Sequence, residues 1–124
     1  MQILYVEDEP DIRELTCLVL RDANAHDVLD FSSGSEALSQ VDALGGIDLL
    51  LLDVMMPEMD GRTLLKELRA KPATAEVPVI FMTAKTMPAE VAELRRLGAV
   101  HVISKPFDVV TVRDEIEAAV SRHA

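Results

Sequence analysis

The apolar run at residues 47–52 constrains the fold of this 124-residue chain more than any other feature. Only Asp48 interrupts the run, which is typical of a strand buried on both faces of a parallel sheet. Asp53 follows directly, and Pro57 prevents the strand from continuing. Because open α/β sheets bind ligands at the carboxyl ends of their strands, we expect Asp53 at a binding edge, facing water rather than core. The alternative is a strand-end aspartate that caps the next loop.

Strand and helix patterns alternate along the whole chain. The predicted strands are residues 1–6, 28–31, 47–52, 77–82 and 100–104, and the predicted helices cover 10–22, 33–45, 60–71, 88–97 and 108–120. Strict alternation indicates a parallel sheet with helices on both faces and right-handed crossovers. We therefore predict one α/β domain over residues 1–124, a flavodoxin-like (βα)5 three-layer sandwich of strand order 2-1-3-4-5. The last helical pattern runs to Val120, so we expect no output domain in this chain.

Acidic residues follow the first predicted strand as well as the third. In the predicted order these strands are neighbours, so Glu7 and Asp8 should lie at the same sheet edge as Asp53. Three close carboxylates repel one another unless a cation lies among them. Hard oxygen ligands in small number suit Mg²⁺. The alternative is an acidic first helical turn beginning at Pro10, and the two interpretations are compatible.

Thr83 directly follows the fourth predicted strand, and Lys105 directly follows the fifth. A hydroxyl and an ammonium beside a carboxylate–metal cluster are the groups that handle a phosphoryl group. The carboxylate of Asp53 would be the nucleophile, giving an acyl phosphate. Taken singly, Thr83 is an ordinary strand former and Lys105 an ordinary solvated lysine. Because Thr83 and Lys105 are both expected at the sheet edge that carries the acids, the functional interpretation is favoured.

Four segments carry a resemblance to a known family: Val-Glu-Asp-Glu at 6–9, Leu-Asp-Val-Met-Met-Pro-Glu-Met-Asp-Gly at 52–61, Met-Thr-Ala at 82–84 and Ser-Lys-Pro-Phe at 104–107. Across essentially its full length the chain resembles response-regulator receiver domains of two-component signalling, of the chemotaxis-regulator-like kind. The resemblance implies a phosphorylation-dependent switch rather than an enzyme, catalysing at most its own phosphorylation and dephosphorylation. Asp53 would accept phosphate from a histidine kinase or histidine phosphotransfer protein.

The resemblance also implies a role for each site residue. Glu7, Asp8, Asp53 and the backbone carbonyl of Met55 would bind Mg²⁺. Thr83 and Lys105 would contact the phosphoryl group, and the Lys105–Pro106 peptide bond would be cis. Phosphorylation would alter the surface of the fourth helix, fifth strand and fifth helix for partner binding or phosphorelay.

One position departs from the family pattern. Receivers often carry Tyr or Phe three residues before the lysine, as a rotamer switch coupled to the threonine, and here that position is Val102. Valine has no ring to swing inward, so only the Thr83 half of the switch region is present. The neighbouring His101 is either a pH sensor or, as we favour, a surface residue. Strand alternation leaves open which of Val102 and His101 points inward.

Composition limits the partners. A net charge of -10 argues against direct contact with nucleic acid or anionic membranes. Cys17 is the single cysteine, which excludes an internal disulfide, and we expect it on the core side of the first helix. No secretory pattern or bilayer-length apolar stretch is present. We expect a cytoplasmic protein whose partners are a phosphohistidine donor and an unknown downstream protein.

Three other functions compete with this interpretation. A haloacid-dehalogenase-type phosphatase would carry a second acid two residues after the nucleophile, where this chain has Met55. A nucleotide-binding domain needs a glycine-rich loop after the first strand, but residues 6–11 are acidic and lack glycine. A phosphate-independent scaffold would not need the set of Asp53, Thr83 and Lys105.

Overall fold

The structure is a computed structural model that describes residues 1–123, so the predicted domain end at residue 124 lies outside the described part. Strands and α-helices alternate as predicted, with a short 3-10 turn at Asp22–Asn24. The elements are β1 Gln2–Val6, α1 Pro10–Arg21, β2 Asp27–Phe31, α2 Gly34–Val41, β3 Leu49–Asp53, α3 Gly61–Arg69, β4 Val79–Thr83, α4 Pro88–Arg96, β5 Ala99–Ser104 and α5 Val112–His123.

The five strands form one parallel sheet in the order β2-β1-β3-β4-β5. This arrangement confirms the predicted flavodoxin-like fold. Val6 lies opposite Leu52 in the β1–β3 register, so the residues after both strands emerge together. The carboxyl ends of β4 and β5 lie along the same edge, as the parallel sheet requires.

Two apolar layers enclose the sheet. On one face Leu50, Leu52 and Phe81 pack with side chains of α2, α3 and α4. On the other face Leu51 and Ile80 pack with side chains of α1 and α5, and Cys17 lies there on the core side of its helix, as predicted. Helices cover both faces of the sheet, so the residues of the central strands are buried whichever face they point to. This burial explains the unbroken apolar runs.

Two strands begin two residues later than their patterns predict. β3 starts at Leu49, because the carboxylate of Asp48 accepts the backbone N–H of Gln2 at 2.8 Å and ends the loop there. β4 starts at Val79, directly after Pro78, which has no N–H to donate to a ladder. Each strand then runs one residue further than predicted, to Asp53 and Thr83. Both site residues are therefore the last residues of their strands.

Of two predicted helix N-caps, the structure confirms Ser33 and corrects Asp108. The hydroxyl of Ser33 accepts the N–H of Glu36 at 3.1 Å, which caps α2 as predicted. Asp108, predicted to cap the last helix, instead opens a separate turn, because its carboxylate accepts the N–H of Val110 at 2.8 Å. α5 itself begins at Val112. Within the described residues, no helix is both long and apolar enough to cross a membrane.

Candidate functional site

Three carboxylates meet at the carboxyl edge of the sheet. Glu7 and Asp8 follow β1, Asp53 ends β3, and one oxygen of each lies within 4.8 Å of the others. Glu7 is fully buried and Asp53 is 2% exposed, whereas Asp8 is half-buried. The expectation that Asp53 faces water was wrong. Its strand end is paired with Met82, and other groups of the site cover its side chain.

Lys105 is the cation of this cluster. Its Nζ lies 2.9 Å from Oε1 of Glu7 and 3.1 Å from Oδ1 of Asp53. The lysine follows β5, and its backbone N–H donates to the carbonyl of Thr83 at 2.9 Å, which fixes where the side chain starts. The Lys105–Pro106 peptide bond is cis, as the resemblance implied. One ammonium therefore bridges two buried acids.

Electrostatics at the site favour additional positive charge. Burial and the negative charge of Glu7 raise the pKa of Asp53 to about 7, although Lys105 opposes the shift. Burial alone would lower the pKa of Lys105, but its hydrogen bond to Glu7 and the charges of both acids raise it. A single ammonium neutralises only part of the negative charge that the three carboxylates can carry.

The donor set matches a small hard cation. All three side chains offer carboxylate oxygens, the ligands that Mg²⁺ prefers, and one of them is open to solvent. Met55 lies two residues beyond Asp53, in the loop between β3 and α3, with its side chain half exposed. The N–H of Gly61 donates to the carbonyl of Val54 at 2.9 Å, which holds this loop against the strand end.

Thr83 lies at the same edge but is not bonded to the acids. Its side chain is buried, and its Oγ1 accepts the backbone N–H of Lys85 at 3.0 Å. The hydroxyl proton remains available for another acceptor. A hydroxyl that already has one partner but keeps its donor free can turn toward a new acceptor beside Asp53.

A register shift between β4 and β5 decides the direction of the two residues that alternation left open. The irregularity lies between Val79 and Ile80, which pair with Ala99 and His101. Val102 consequently packs on the face covered by α4, half-buried. The imidazole Nε2 of His101 lies 2.6 Å from Glu115 of α5. His101 is therefore a partly buried, paired residue and not the surface residue we favoured.

Sequence reasoning missed several polar neighbours of the site. Arg13 of α1 donates to the carbonyl of Glu7 at 2.8 Å and so holds the acidic loop. Arg62 and Glu90 line a cavity of about 80 Å³ beside Thr83. These residues occupy ordinary charged positions on helices, and only the packing of α1, α3 and α4 against the sheet edge brings them near the site.

Comparison with known proteins decides the family. The family model described as the response regulator receiver domain matches residues 3–117. This chain belongs to that family. The match covers every element from β1 into α5, including all residues of the acidic cluster and Lys105.

Individual relatives agree with the family assignment. The transcriptional regulatory protein SpaR of Bacillus subtilis is 38% identical over 98% of this chain and 51% of its own length. The chemotaxis protein CheY1 of Helicobacter pylori is 32% identical over 94% of both chains. The structure of Vibrio cholerae CheY4, also a chemotaxis protein, superposes with a TM-score of 0.86 at 28% identity and covers 95% and 97% of the two chains. The receiver thus spans about half of SpaR and nearly all of CheY1.

Membership of this family establishes the general role. Response regulator receiver domains act in phosphorylation-dependent two-component signalling, as regulatory proteins that interact with histidine kinases and downstream targets. They generally depend on Mg²⁺, and the acidic cluster could hold that ion.

Proposed function

We propose that Asp53 accepts a phosphoryl group from the phosphohistidine of a kinase or phosphotransfer protein. The observation that carries the proposal is the Lys105 ammonium, which bridges Glu7 and Asp53 at 2.9 and 3.1 Å. A buried carboxylate held by an ammonium, at the edge where parallel sheets bind ligands, supports a role for Asp53 as the nucleophile that would attack phosphorus in line. The new P–O bond forms at Asp53 as the bond to the donor nitrogen breaks.

Each remaining residue has a defined part. Glu7, Asp8, Asp53 and the Met55 carbonyl would hold Mg²⁺, which supplies positive charge opposite the phosphoryl oxygens when bound. The Lys105 ammonium, which contacts both acids in this structure, would exchange one carboxylate for a phosphoryl oxygen. The Thr83 hydroxyl donates its free proton to a second phosphoryl oxygen.

Phosphorylation of this receiver would change the surface formed by α4, β5 and α5. Thr83 ends β4 and Lys105 follows β5, so movement of both side chains acts on α4, β5 and α5. We infer that this surface binds a downstream protein or passes phosphate onward, and that residues 1–124 do so in the cytoplasm as a regulator without further enzymatic activity. The net charge of -10 supports a protein partner over direct contact with nucleic acid.

Intact mass measurement tests the proposal. Incubation with acetyl phosphate and Mg²⁺ should add one phosphoryl group to the wild type, and chelation should abolish the adduct. Asp53→Ala should gain none, whereas the control Asp42→Ala, at an exposed position beyond α2, should label as the wild type does. Equal labelling of Asp53→Ala would overturn the assignment.

A further inference from the structure

The cavity beside Thr83 is lined by an acid, Glu90, that has an unpaired buried oxygen. It has a volume of about 80 Å³ and lies between the loops that follow β3 and β4 and the first turns of α4. Glu90, the third residue of α4, lines it. Across residues 1–123, Oε2 of Glu90 is the one buried side-chain oxygen or nitrogen without a hydrogen-bond partner. Because an unpaired buried carboxylate oxygen is costly, a state that gives it a donor is favoured.

A backbone donor in the same lining is already occupied. Lys85 lines the same cavity, and its N–H donates to Oγ1 of Thr83 at 3.0 Å. If the Thr83 hydroxyl turns toward a phosphoryl group on Asp53, the N–H of Lys85 loses that acceptor. The resting state therefore lacks a donor for Glu90, and the phosphorylated state would lack an acceptor for Lys85.

The beginning of α4 is loosely attached to the rest of the protein. Leu94 is the only buried residue of this nine-residue helix, and its N-cap Met87 makes no side-chain capping bond. An exposed ion pair between Glu93 and Arg62 at 2.8 Å tethers the helix farther along. A first turn with so few contacts can shift at small energetic cost.

We propose that Glu90 accepts the Lys85 N–H when Thr83 turns toward the phosphoryl group, so that the first turn of α4 responds to the state of Asp53. One hydrogen bond, Lys85 N–H to Thr83, is exchanged for another, Lys85 N–H to Glu90, and the unpaired carboxylate gains its donor. Glu90 is a positioning residue here, since it acts through Lys85 and does not touch the phosphoryl group. The link to phosphate rests on the function proposed above for Asp53.

A mutant cycle without phosphate tests the bond itself. Hydrogen exchange of the Lys85 amide is followed by NMR in wild type, Thr83→Ala, Glu90→Ala and the double mutant. Each single mutant should exchange within about twofold of the wild type, because one acceptor remains, whereas the double mutant should exchange about tenfold faster. Thr83→Ala combined with Glu90→Gln should restore slow exchange, because the amide oxygen still accepts. A double mutant that exchanges no faster than Thr83→Ala overturns the inference.

Phosphorylation tests the coupling. With acetyl phosphate and Mg²⁺ maintained, and the adduct verified by mass, Glu90→Ala should lose about tenfold of Lys85 protection only in the phosphorylated state. Phosphorylated Glu90→Ala that exchanges like the phosphorylated wild type overturns the coupling. A wild type that gains no adduct overturns the function proposed for Asp53 and the phosphate-driven step with it, while the phosphate-free cycle still decides the Lys85–Glu90 bond.

Discussion

At the scale of single residues, Asp53 is an acid that destabilises the metal-free fold when it ionises. Its pKa rises from an ordinary 3.8 to about 7, because burial and Glu7 outweigh Lys105. Between about pH 4 and 7 the folded protein keeps a proton that the unfolded chain has released. The free energy of unfolding therefore falls as pH rises through this window, and the contribution of Asp53 is constant outside it.

Replacing this acid should stabilise the metal-free protein. Asp53→Asn should have a free energy of unfolding about 2–4 kcal/mol above the wild type near pH 8, and the difference should vanish toward pH 4. Urea unfolding in the presence of a chelator, at several pH values, measures this difference. The control Asp42→Asn, at an exposed site, should follow the wild type at every pH. A pH-independent difference for Asp53→Asn would contradict the expected linkage.

The position of Asp53 at the sheet edge could be read from the sequence, but its burial could not. The apolar run ending at 53 identifies where the strand stops. What covers the carboxylate is Lys105, which lies 52 positions away and reaches it only through the packing of the sheet. The direction of the Val102 side chain could not be predicted from the sequence either. A register shift between β4 and β5 changes which residues of β5 point to each face of the sheet.

At the scale of elements, the turn from β3 into α3 fixes the site through two adjacent residues. The carboxylate of Asp60 accepts the N–H of Thr63 at 2.9 Å and caps α3. A Cβ at Gly61 would overlap the carbonyl oxygen of Asp53. Glycine is therefore required because the helix start passes directly against the strand that ends in the acid.

Substitution at this turn should disturb both stability and chemistry. Gly61→Ala should lower the free energy of unfolding by about 3 kcal/mol, because the new methyl group displaces backbone. It should also slow phosphorylation by acetyl phosphate, since the displaced backbone carries Asp53. Gly45→Ala is the matched control: no heavy atom lies within 4 Å of its Cβ, so we expect a change within about 0.5 kcal/mol. Equal stability of the two variants would show that the Gly61 turn relaxes freely.

Element order was predictable, whereas several element ends were not. Periodic apolar positions identified all ten elements, since each helix or strand buries one face or both. The late starts of β3 and α5 depend on Asp48 and Asp108, whose carboxylates capture backbone N–H groups. Asp is compatible with a cap, a turn or a strand entry, and the sequence alone does not distinguish these uses.

At the scale of the whole molecule, a cation that binds only the folded site should raise thermal stability. At about a hundredfold excess over its Kd, Mg²⁺ should contribute about 2.7 kcal/mol, or roughly 10 °C in Tm for a chain of this size. Asp8→Ala should lose most of that increase in calorimetry. The control Asp11→Ala removes an exposed acid from the first turn of α1 and should retain it. An unchanged Mg²⁺ response in Asp8→Ala would rule out direct ligation by Asp8.

The ion pair between Glu7 and Lys105 joins residues 98 positions apart. During synthesis the three acids leave the ribosome long before the lysine does, and β5, which carries the lysine to the edge, is made after the other four strands of the sheet. A nascent or truncated chain therefore holds the acids without their ammonium. The full charge arrangement of the site therefore forms only after Lys105 has been synthesised, and we expect chains that stop before it to accept phosphate poorly.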